Sequence, residues 1–548
     1  MSGARSRPRL LPGARWARWA LALLLVFTLL RGGMWAMTQP YFWAPDEDYH
    51  YLYAEYLTTQ HRLIDPERPM YTREYTLLRQ AMRHDSYAPG PRDDFRGDPK
   101  RSVRLLGARA RGDPERAPLA LDRGVNVVHA PLYYLGAAAV NSALGDASLF
   151  TRVAAVRWLS SFIGVLAVFA AWLLAAQVFR REWLQLTVAA LVALQPMIAF
   201  LSGIVSNDIA VTAAFSAAVA MLLFIQREAP AGRQGLWVGG AVALALLLKA
   251  TALALLPLAT LAYAGQAIAW PERRPVVARS AGLALGVVAI GAGWWYARSA
   301  LAYGSLSGAA TDVIPFEALS SAGPGAVLDH VSQWARLTYR TYWWHYLWPE
   351  APRESLFFLV PMGLAILAVV GIVAVLVRGR HALASPAQSL PRQVLIMVAA
   401  VLALCLPPLV TDVLRALDGE GFLLVAGRLV LPAHACAAVL LVVAARELCP
   451  SRLLPWVCGA LVAGASMFCW TVYWATYVRR YFGEGPLEEL LRRMSFDRPE
   501  FVTPVTYTVA LVALVGCLVT AVVVVVAGNR GTASRRTAAF EPMVGRVP

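Results

Sequence analysis

The feature that most constrains this chain is a series of apolar runs, each close to 20 residues long, that recurs along nearly its whole length. A helix of about 20 residues crosses the roughly 30 Å hydrocarbon core of a bilayer, so each run is long enough to span a membrane. The 548 residues are 58% hydrophobic and 15% charged, whereas a soluble domain is about 25% charged. The sequence therefore predicts an all-α polytopic membrane protein whose main solvent is the lipid bilayer.

Twelve runs are expected to cross the membrane, and the connections on one side of them are rich in arginine. Such a bias marks the cytoplasmic side, and it accounts for the net charge of +16 without a nucleic-acid partner. Both termini are then cytoplasmic. The predicted spans are 17–38, 152–178, 183–203, 209–226, 234–249, 251–269, 277–300, 355–377, 393–413, 427–445, 453–477 and 504–527.

Residues 130–145 form one more apolar run, which is short for a span. Counting it as a span would invert every later connection and place the arginines on the wrong side. We therefore interpret it as a juxtamembrane or re-entrant helix on the outer side, and a thirteenth span is the alternative.

The predicted spans divide the chain into segments with different expected roles. The pattern indicates a location in the cell membrane, with the large outer loop exposed on the far side from the cytoplasm. The six cysteines include no CxxC pair, so neither a disulfide framework nor a zinc site is indicated. The segments are a basic cytoplasmic tail (1–16), a transmembrane module (17–445) with a large polar outer loop (39–128) and an aromatic outer loop (301–353), C-terminal transmembrane helices (446–527) and a cytoplasmic tail expected to be disordered (528–548).

Polar residues beside a membrane are costly unless they find a partner or serve a function, and several groups of them fall at the predicted outer face. Each has an ordinary explanation as a turn, a helix start, a snorkelling cation or an interfacial aromatic. Arg428 is the most informative cation, because charge statistics disfavour arginine at an outer helix end. The candidate site residues are Asp46, Glu47, His50, His129, Tyr133, Asn207, Asp208, Lys249, Trp295, Arg298, Arg340, His345 and Arg428.

Together these residue types suit one chemistry. Carboxylates can take a proton from a hydroxyl group, the arginine fork binds phosphate through two hydrogen bonds, and aromatic rings stack on sugar faces. A glycosyl transfer from a lipid phosphate needs all three.

The order of these motifs resembles the GT-C superfamily of polyprenyl-phosphate-sugar glycosyltransferases, which includes protein O-mannosyltransferases and lipid A aminoarabinose transferases. The likeness is greatest to a bacterial branch of predicted membrane proteins, and it extends over about 20–445. Three positions depart from the family pattern, namely Ala130, Ser299 and Leu429. The matching motifs are Asp46-Glu47, His129-Ala130-Pro131-Leu132-Tyr133-Tyr134, Ser206-Asn207-Asp208, Lys249, Trp294-Trp295-Tyr296-Ala297-Arg298 and Gly427-Arg428.

The resemblance implies an inverting transfer of a sugar from a polyprenyl-phosphate donor to a glycan, lipid or protein acceptor at the extracytoplasmic face. Asp46 would be the base or would orient it, with Glu47 and Asp208 in support, and the remaining candidate residues would bind substrate or lipid phosphate. No cofactor is required, although a divalent metal at Asp46 and Asp208 is compatible with the pattern.

Two other classes of protein share some of these features. A lipid or solute transporter also carries charges in its membrane segments, although such proteins often show internal repeats and charges near the bilayer midplane. A non-catalytic assembly subunit could keep the fold without the activity. Detection of a new glycosidic bond distinguishes the enzyme from both.

Overall fold

The structure is a computed structural model that describes residues 11–63, 129–304, 322–343, 356–419 and 427–478, apart from a few single positions, and short stretches between 485 and 522. Throughout these residues the chain is helical and contains no strand, which confirms the all-α prediction. Most of the loop 39–128, residues 1–10 of the N-terminal tail, the C-terminal tail and His345 lie outside the described residues.

Sixteen α-helices of the described part are numbered here in chain order. The first six are α1 (Arg15–Thr38), α2 (Glu47–Gln60), α3 (Leu132–Leu144), α4 (Leu149–Val178), α5 (Glu182–Ala193) and α6 (Pro196–Leu201). The next five are α7 (Asp208–Arg227), α8 (Gln234–Leu246), α9 (Leu255–Ala269), α10 (Arg274–Val288) and α11 (Trp294–Tyr303). The last five are α12 (Pro324–Trp343), α13 (Leu356–Arg378), α14 (Leu390–Leu417), α15 (His434–Leu448) and α16 (Leu454–Thr471).

Nine helical stretches of the described residues are long and apolar enough to cross a membrane, and α5 and α8 are shorter apolar helices. Eleven of the twelve predicted spans coincide with these helices. The twelfth, 504–527, is described only in pieces, so the count of twelve stays a prediction. Helix α3 is not one of the nine, and the juxtamembrane interpretation of 130–145 likewise stays a prediction.

Two predicted spans are not continuous helices. The run 183–203 divides into α5 and α6 just before Pro196, which lacks the N–H for a bond to the preceding turn and whose ring crowds that turn; the Gln195 side chain accepts a hydrogen bond from the Ile198 N–H at 2.8 Å and caps the second piece. The run 234–249 ends as a helix at Leu246, and Lys249 is extended. A third predicted span, 277–300, stays helical but changes its helix type, since the π-helical stretch Ala289–Gly293 joins α10 to α11.

Two buried ion pairs fix the start of the first loop to the bundle. Glu55 of α2 contacts Arg152 of α4 at 2.7 Å, and Glu47 contacts Arg157, five residues further along α4, at 2.6 Å. Helix α2 therefore lies against α3 and α4, at the end of the bundle where α1 finishes and α7 begins. This arrangement brings the first-loop carboxylates to the candidate site.

Candidate functional site

Four charged side chains from distant parts of the sequence form one continuous row, which we call the charged row. Arg428 Nη2 lies 2.5 Å from Asp46 Oδ2, and Arg428 Nη1 lies 3.8 Å from Asp208 Oδ2. Lys249 Nζ lies 2.5 Å from the other oxygen of Asp208. Two carboxylates and two cations thus alternate, and the formal charge of the row is zero.

Asp46 is the most accessible member of the row. Its side chain is 34% exposed, compared with 16% for Arg428 and 3% for Asp208. It directly precedes α2 with a backbone φ of 55°, a left-handed conformation that Asp and Asn tolerate better than most residues. A hydroxyl group entering the site would therefore reach Asp46 before Asp208.

Asp208 is the buried carboxylate of the row and the first residue of α7. A helix N-terminus stabilises negative charge through its unpaired N–H groups and its dipole. The Ser206 hydroxyl donates to Asp208 Oδ2 at 3.2 Å. With both cations of the row beside it as well, Asp208 is suited to hold those cations in place.

Arg428 is positioned by the last turn of α12. The Gly427 N–H donates to Thr341 Oγ1 at 2.7 Å, and a side chain at position 427 would place its Cβ 2.0 Å from the Tyr342 nitrogen. Only glycine permits this approach. The close contact between Gly427 and α12 therefore fixes the backbone that carries Arg428.

Lys249 and Asn207 meet where α8 ends. Lys249 is extended, with φ of −162° and ψ of 146°, and Asn207 Nδ2 donates to the Leu248 carbonyl at 3.0 Å. Asn207 is completely buried. Its amide group therefore satisfies a carbonyl group at the end of α8, next to Lys249.

A stack of aromatic rings borders the charged row. The rings of His50 and His129 are stacked with centroids 5.7 Å apart, and His50 Nδ1 lies 2.6 Å from the Tyr134 hydroxyl. Burial, together with the Lys249 and Arg428 cations, lowers the pKa of His50 to about 3. Burial also holds the pKa of His129 well below its usual value. Both imidazoles are therefore neutral at pH 7.

The low pKa of His50 predicts a loss of stability in acid. An unfolded histidine takes up a proton near pH 6.5, whereas the folded one does so only at about pH 3. Between these values the unfolded state binds more protons, so lowering the pH destabilises the fold by up to about 1.4 kcal/mol per pH unit. The thermal midpoint in detergent should fall less between pH 7 and pH 5 for His50→Gln than for the wild type.

The exposed His381 provides the control for this measurement. His381→Gln should keep the wild-type dependence of the thermal midpoint on pH. An equal dependence in His50→Gln and wild type would show that His50 does not stay neutral in the fold.

Tyr133 supports the segment that carries Asp208. Its hydroxyl oxygen accepts a hydrogen bond from the Ser206 N–H at 3.1 Å and lies 2.8 Å from Ser160 Oγ. Burial raises the pKa of Tyr133 well above the ordinary value, so it stays a neutral hydrogen-bonding group.

Glu47 lies beside Asp46 in sequence, but it does not join the charged row. Arg157 donates to both of its oxygens, at 2.7 and 2.6 Å. The N–H groups of Phe42 and Val205 donate to the same two oxygens at 3.0 Å each. Four hydrogen bonds and complete burial indicate that Glu47 holds α2, α4 and the segment before α7 together.

The remaining candidate residues are Trp295, Arg298, Arg340 and His345. The Arg298 guanidinium lies over the Trp295 ring, 5.2 Å from its centroid. Arg340 is exposed on α12. His345 is outside the described residues.

Arg157 is the main residue of the site region that the sequence interpretation missed. It is completely buried and also donates to the carbonyls of Ala36 and Gln39 at 3.0 and 2.6 Å. An arginine inside the apolar run 152–178 was the available signal, since a charged residue in a membrane segment normally has a partner or a function.

The charged row is a poor match to a metal site. In the part of the chain that the structure describes, no three His, Cys, Asp or Glu side chains are grouped so as to hold a metal. Asp46 and Asp208 both face Arg428, and Asp208 also contacts Lys249, so a divalent cation would have to approach two positive charges. The residues present do not fit a metal.

A helical bundle with membrane-length apolar helices, and with a row of alternating carboxylates and cations at one end, defines an integral membrane protein with a polar site. The chain belongs to the DUF2142 family of predicted membrane proteins, whose model matches residues 29–432. None of the curated proteins matches the chain in sequence.

The solved structures similar to this chain include an archaeal oligosaccharyltransferase, AglB from Archaeoglobus fulgidus. Its complex with an inhibitory peptide and a dolichol-phosphate matches 88% of this chain and 58% of its own length, with 14% identity and a TM-score of 0.46. The apo form of the Archaeoglobus fulgidus enzyme matches the same shares at 14% identity and a TM-score of 0.45. This chain thus corresponds to a little over half of that protein's length.

Proposed function

We propose that this protein is a membrane glycosyltransferase that moves a sugar from a polyprenyl-phosphate donor to an acceptor hydroxyl, with inversion at the anomeric carbon. The charged row carries this proposal, because it places the partly exposed Asp46 carboxylate beside Arg428, with the buried Lys249 further along the row, at the end of an apolar bundle. The matching order of the sequence motifs supports the same class of reaction.

The two cations are suited to receive the donor's phosphate. Arg428 can form two parallel hydrogen bonds to phosphate oxygens, and charge-assisted bonds of this kind are stronger than neutral ones. Lys249 adds a second positive charge from the other side of Asp208. As the sugar departs, negative charge grows on the phosphate, and cations already in place stabilise that charge without rearrangement.

Asp46 is suited to act as the base. The acceptor hydroxyl gives its proton to the Asp46 carboxylate while its oxygen forms the new bond to the anomeric carbon. The bond between that carbon and the phosphate oxygen breaks, and its electron pair leaves with the polyprenyl phosphate. Asp208, buried and bonded to both cations, keeps Lys249 and Arg428 oriented toward the donor.

The distribution of arginine supports an extracytoplasmic location for this site. The ends of the helices remote from the charged row carry Arg180, Arg181, Arg227, Arg273 and Arg378, and arginine accumulates in cytoplasmic connections. The charged row would then face the opposite side, where a lipid-linked donor and an envelope acceptor can meet.

The test is a transfer reaction with purified protein. Wild-type protein in detergent or liposomes, given a panel of polyprenyl-phosphate sugars and a cell-envelope acceptor extract, should form a new glycosidic bond detectable by mass spectrometry. Movement of a lipid or solute across liposomes without any new glycosidic bond, for every donor in the panel, would instead identify a transporter.

Replacing Arg428 should weaken use of the donor. Arg428→Ala removes one charged group that contacts the phosphate before transfer and more strongly during it, so kcat/KM for the donor should fall ~10–100-fold, partly through a higher donor KM and partly through a lower kcat. Kinetics at varied donor concentration measure this change. Arg336→Ala, at an exposed arginine of α12, is the matched control and should change little. An unaltered donor KM in Arg428→Ala would contradict the assignment of this residue to the phosphate.

A further inference from the structure

Three successive carbonyl groups lie at the end of α8, on its last residue, Leu246, and on Leu247 and Leu248 just after it. A continuous helix would have bonded them internally. The last carbonyls of any helix lack such partners, and inside a membrane protein each of them must find one. Three separate elements provide the donors here. The bonds are Tyr296 Oη to Leu246 O at 3.0 Å, Leu132 N to Leu247 O at 3.1 Å, and Asn207 Nδ2 to Leu248 O at 3.0 Å.

The consequence of this arrangement falls on the next residue, Lys249. The three bonds stabilise the point at which the chain leaves the helix and becomes extended at Lys249. Its ammonium group can then lie 2.5 Å from Asp208, whose neighbour Asn207 makes one of the three bonds. One of the three carbonyl bonds thus comes from the residue that precedes the carboxylate contacted by Lys249.

Among these donors, Tyr296 is the side chain to which the sequence analysis assigned no role of its own. It follows the π-helical stretch Ala289–Gly293, and a π-bulge changes which residues of the following helix face inward. Its ring is buried and its hydroxyl donates to Leu246, so the helix that carries Trp295 and Arg298 is tied to the end of α8.

We propose that Tyr296 is a positioning residue, whose hydroxyl holds the broken end of α8 and thereby keeps Lys249 against Asp208. The effect on sugar transfer rests on the function proposed above, whereas the effect on Lys249 does not. Tyr296→Phe removes only the hydroxyl group and retains the buried ring.

The lysine content of the chain makes this testable directly. Lys100 and Lys249 are the only lysines, so protein grown with ¹³Cε-lysine gives two lysine signals by NMR, and Lys100→Arg leaves that of Lys249. Tyr296→Phe should shift the Lys249 signal, and Asn207→Ala should shift it as well. Tyr263→Phe is the matched control, because this buried hydroxyl bonds to Ser280 on α10, away from Lys249, and should leave the signal unchanged.

Kinetics then separate positioning from a general loss of structure. If the transfer reaction is observed, Tyr296→Phe should raise the donor KM ~10-fold with a smaller change in kcat. It should add nothing further in a Lys249→Ala background, since residues that act through one another are non-additive. Independent, multiplying effects of the two substitutions, or an unmoved Lys249 signal in Tyr296→Phe, would overturn the proposal. A shifted Lys249 signal in a protein that transfers no sugar would retain the positioning role and refute the proposed function.

Discussion

Asp46→Asn should lower the rate of sugar transfer by ~10²–10⁴, the usual contribution of a positioned general base, while the protein still folds. Asparagine has the size of aspartate and tolerates the left-handed backbone at this position, so the substitution removes charge and basicity and little else. Because the side chain is 34% exposed, losing its pairing with Arg428 should cost little stability. Single-turnover rates with saturating donor, together with the thermal midpoint of each protein, measure the two effects.

Asp329→Asn is the control for this experiment. Asp329 is an exposed carboxylate on α12, and its substitution should leave both rate and stability near wild-type values. Full transfer activity in Asp46→Asn would show that Asp46 is not the base, even if the protein is a glycosyltransferase. A variant that fails to fold would show that Asp46 belongs to the scaffold.

Glu47→Gln should mainly destabilise the fold, whereas Asp46→Asn should mainly slow sugar transfer, although the two acids are adjacent in sequence. It leaves the completely buried Arg157 without the charge of its carboxylate partner, and breaking a buried pair in this way costs about 3–5 kcal/mol. We expect a large decrease in the yield of monodisperse protein and a lower thermal midpoint. Size-exclusion chromatography and thermal unfolding in detergent measure these.

A second ion pair of the chain serves as the control for Glu47→Gln. Glu447 pairs with Arg378, whose side chain is 71% exposed, and exposed pairs contribute only about 0–1 kcal/mol. Glu447→Gln should therefore behave almost as the wild type. If Glu47→Gln proved equally stable yet inactive, Glu47 would act in the chemistry, as its place in the Asp46-Glu47 motif suggests.

The amino-acid sequence by itself determined the class of the molecule and the positions of its long apolar helices, but not those of α2 and α12, which lie in the predicted outer loops. Apolar runs near 20 residues are a local property, and eleven of the twelve predicted runs are helical in the structure. The sequence also drew attention to Arg428, because an arginine at that helix end opposes the charge bias of membrane proteins. It could not anticipate that Pro196 divides one run, since a proline within a span kinks some helices and ends others.

Only the tertiary structure decided which polar residues act together. Asp46 and Arg428 are 382 positions apart in the chain, and Glu47 and Arg157 are 110 apart; no local pattern encodes either contact. The tertiary structure also gives the adjacent acids Asp46 and Glu47 different surroundings. Glu47 has both oxygens occupied by four buried hydrogen bonds, while Asp46 stays partly open beside a cation. Whether a carboxylate stabilises a fold or meets a substrate depends on which neighbours reach its oxygens, and in this protein those neighbours come from distant helices.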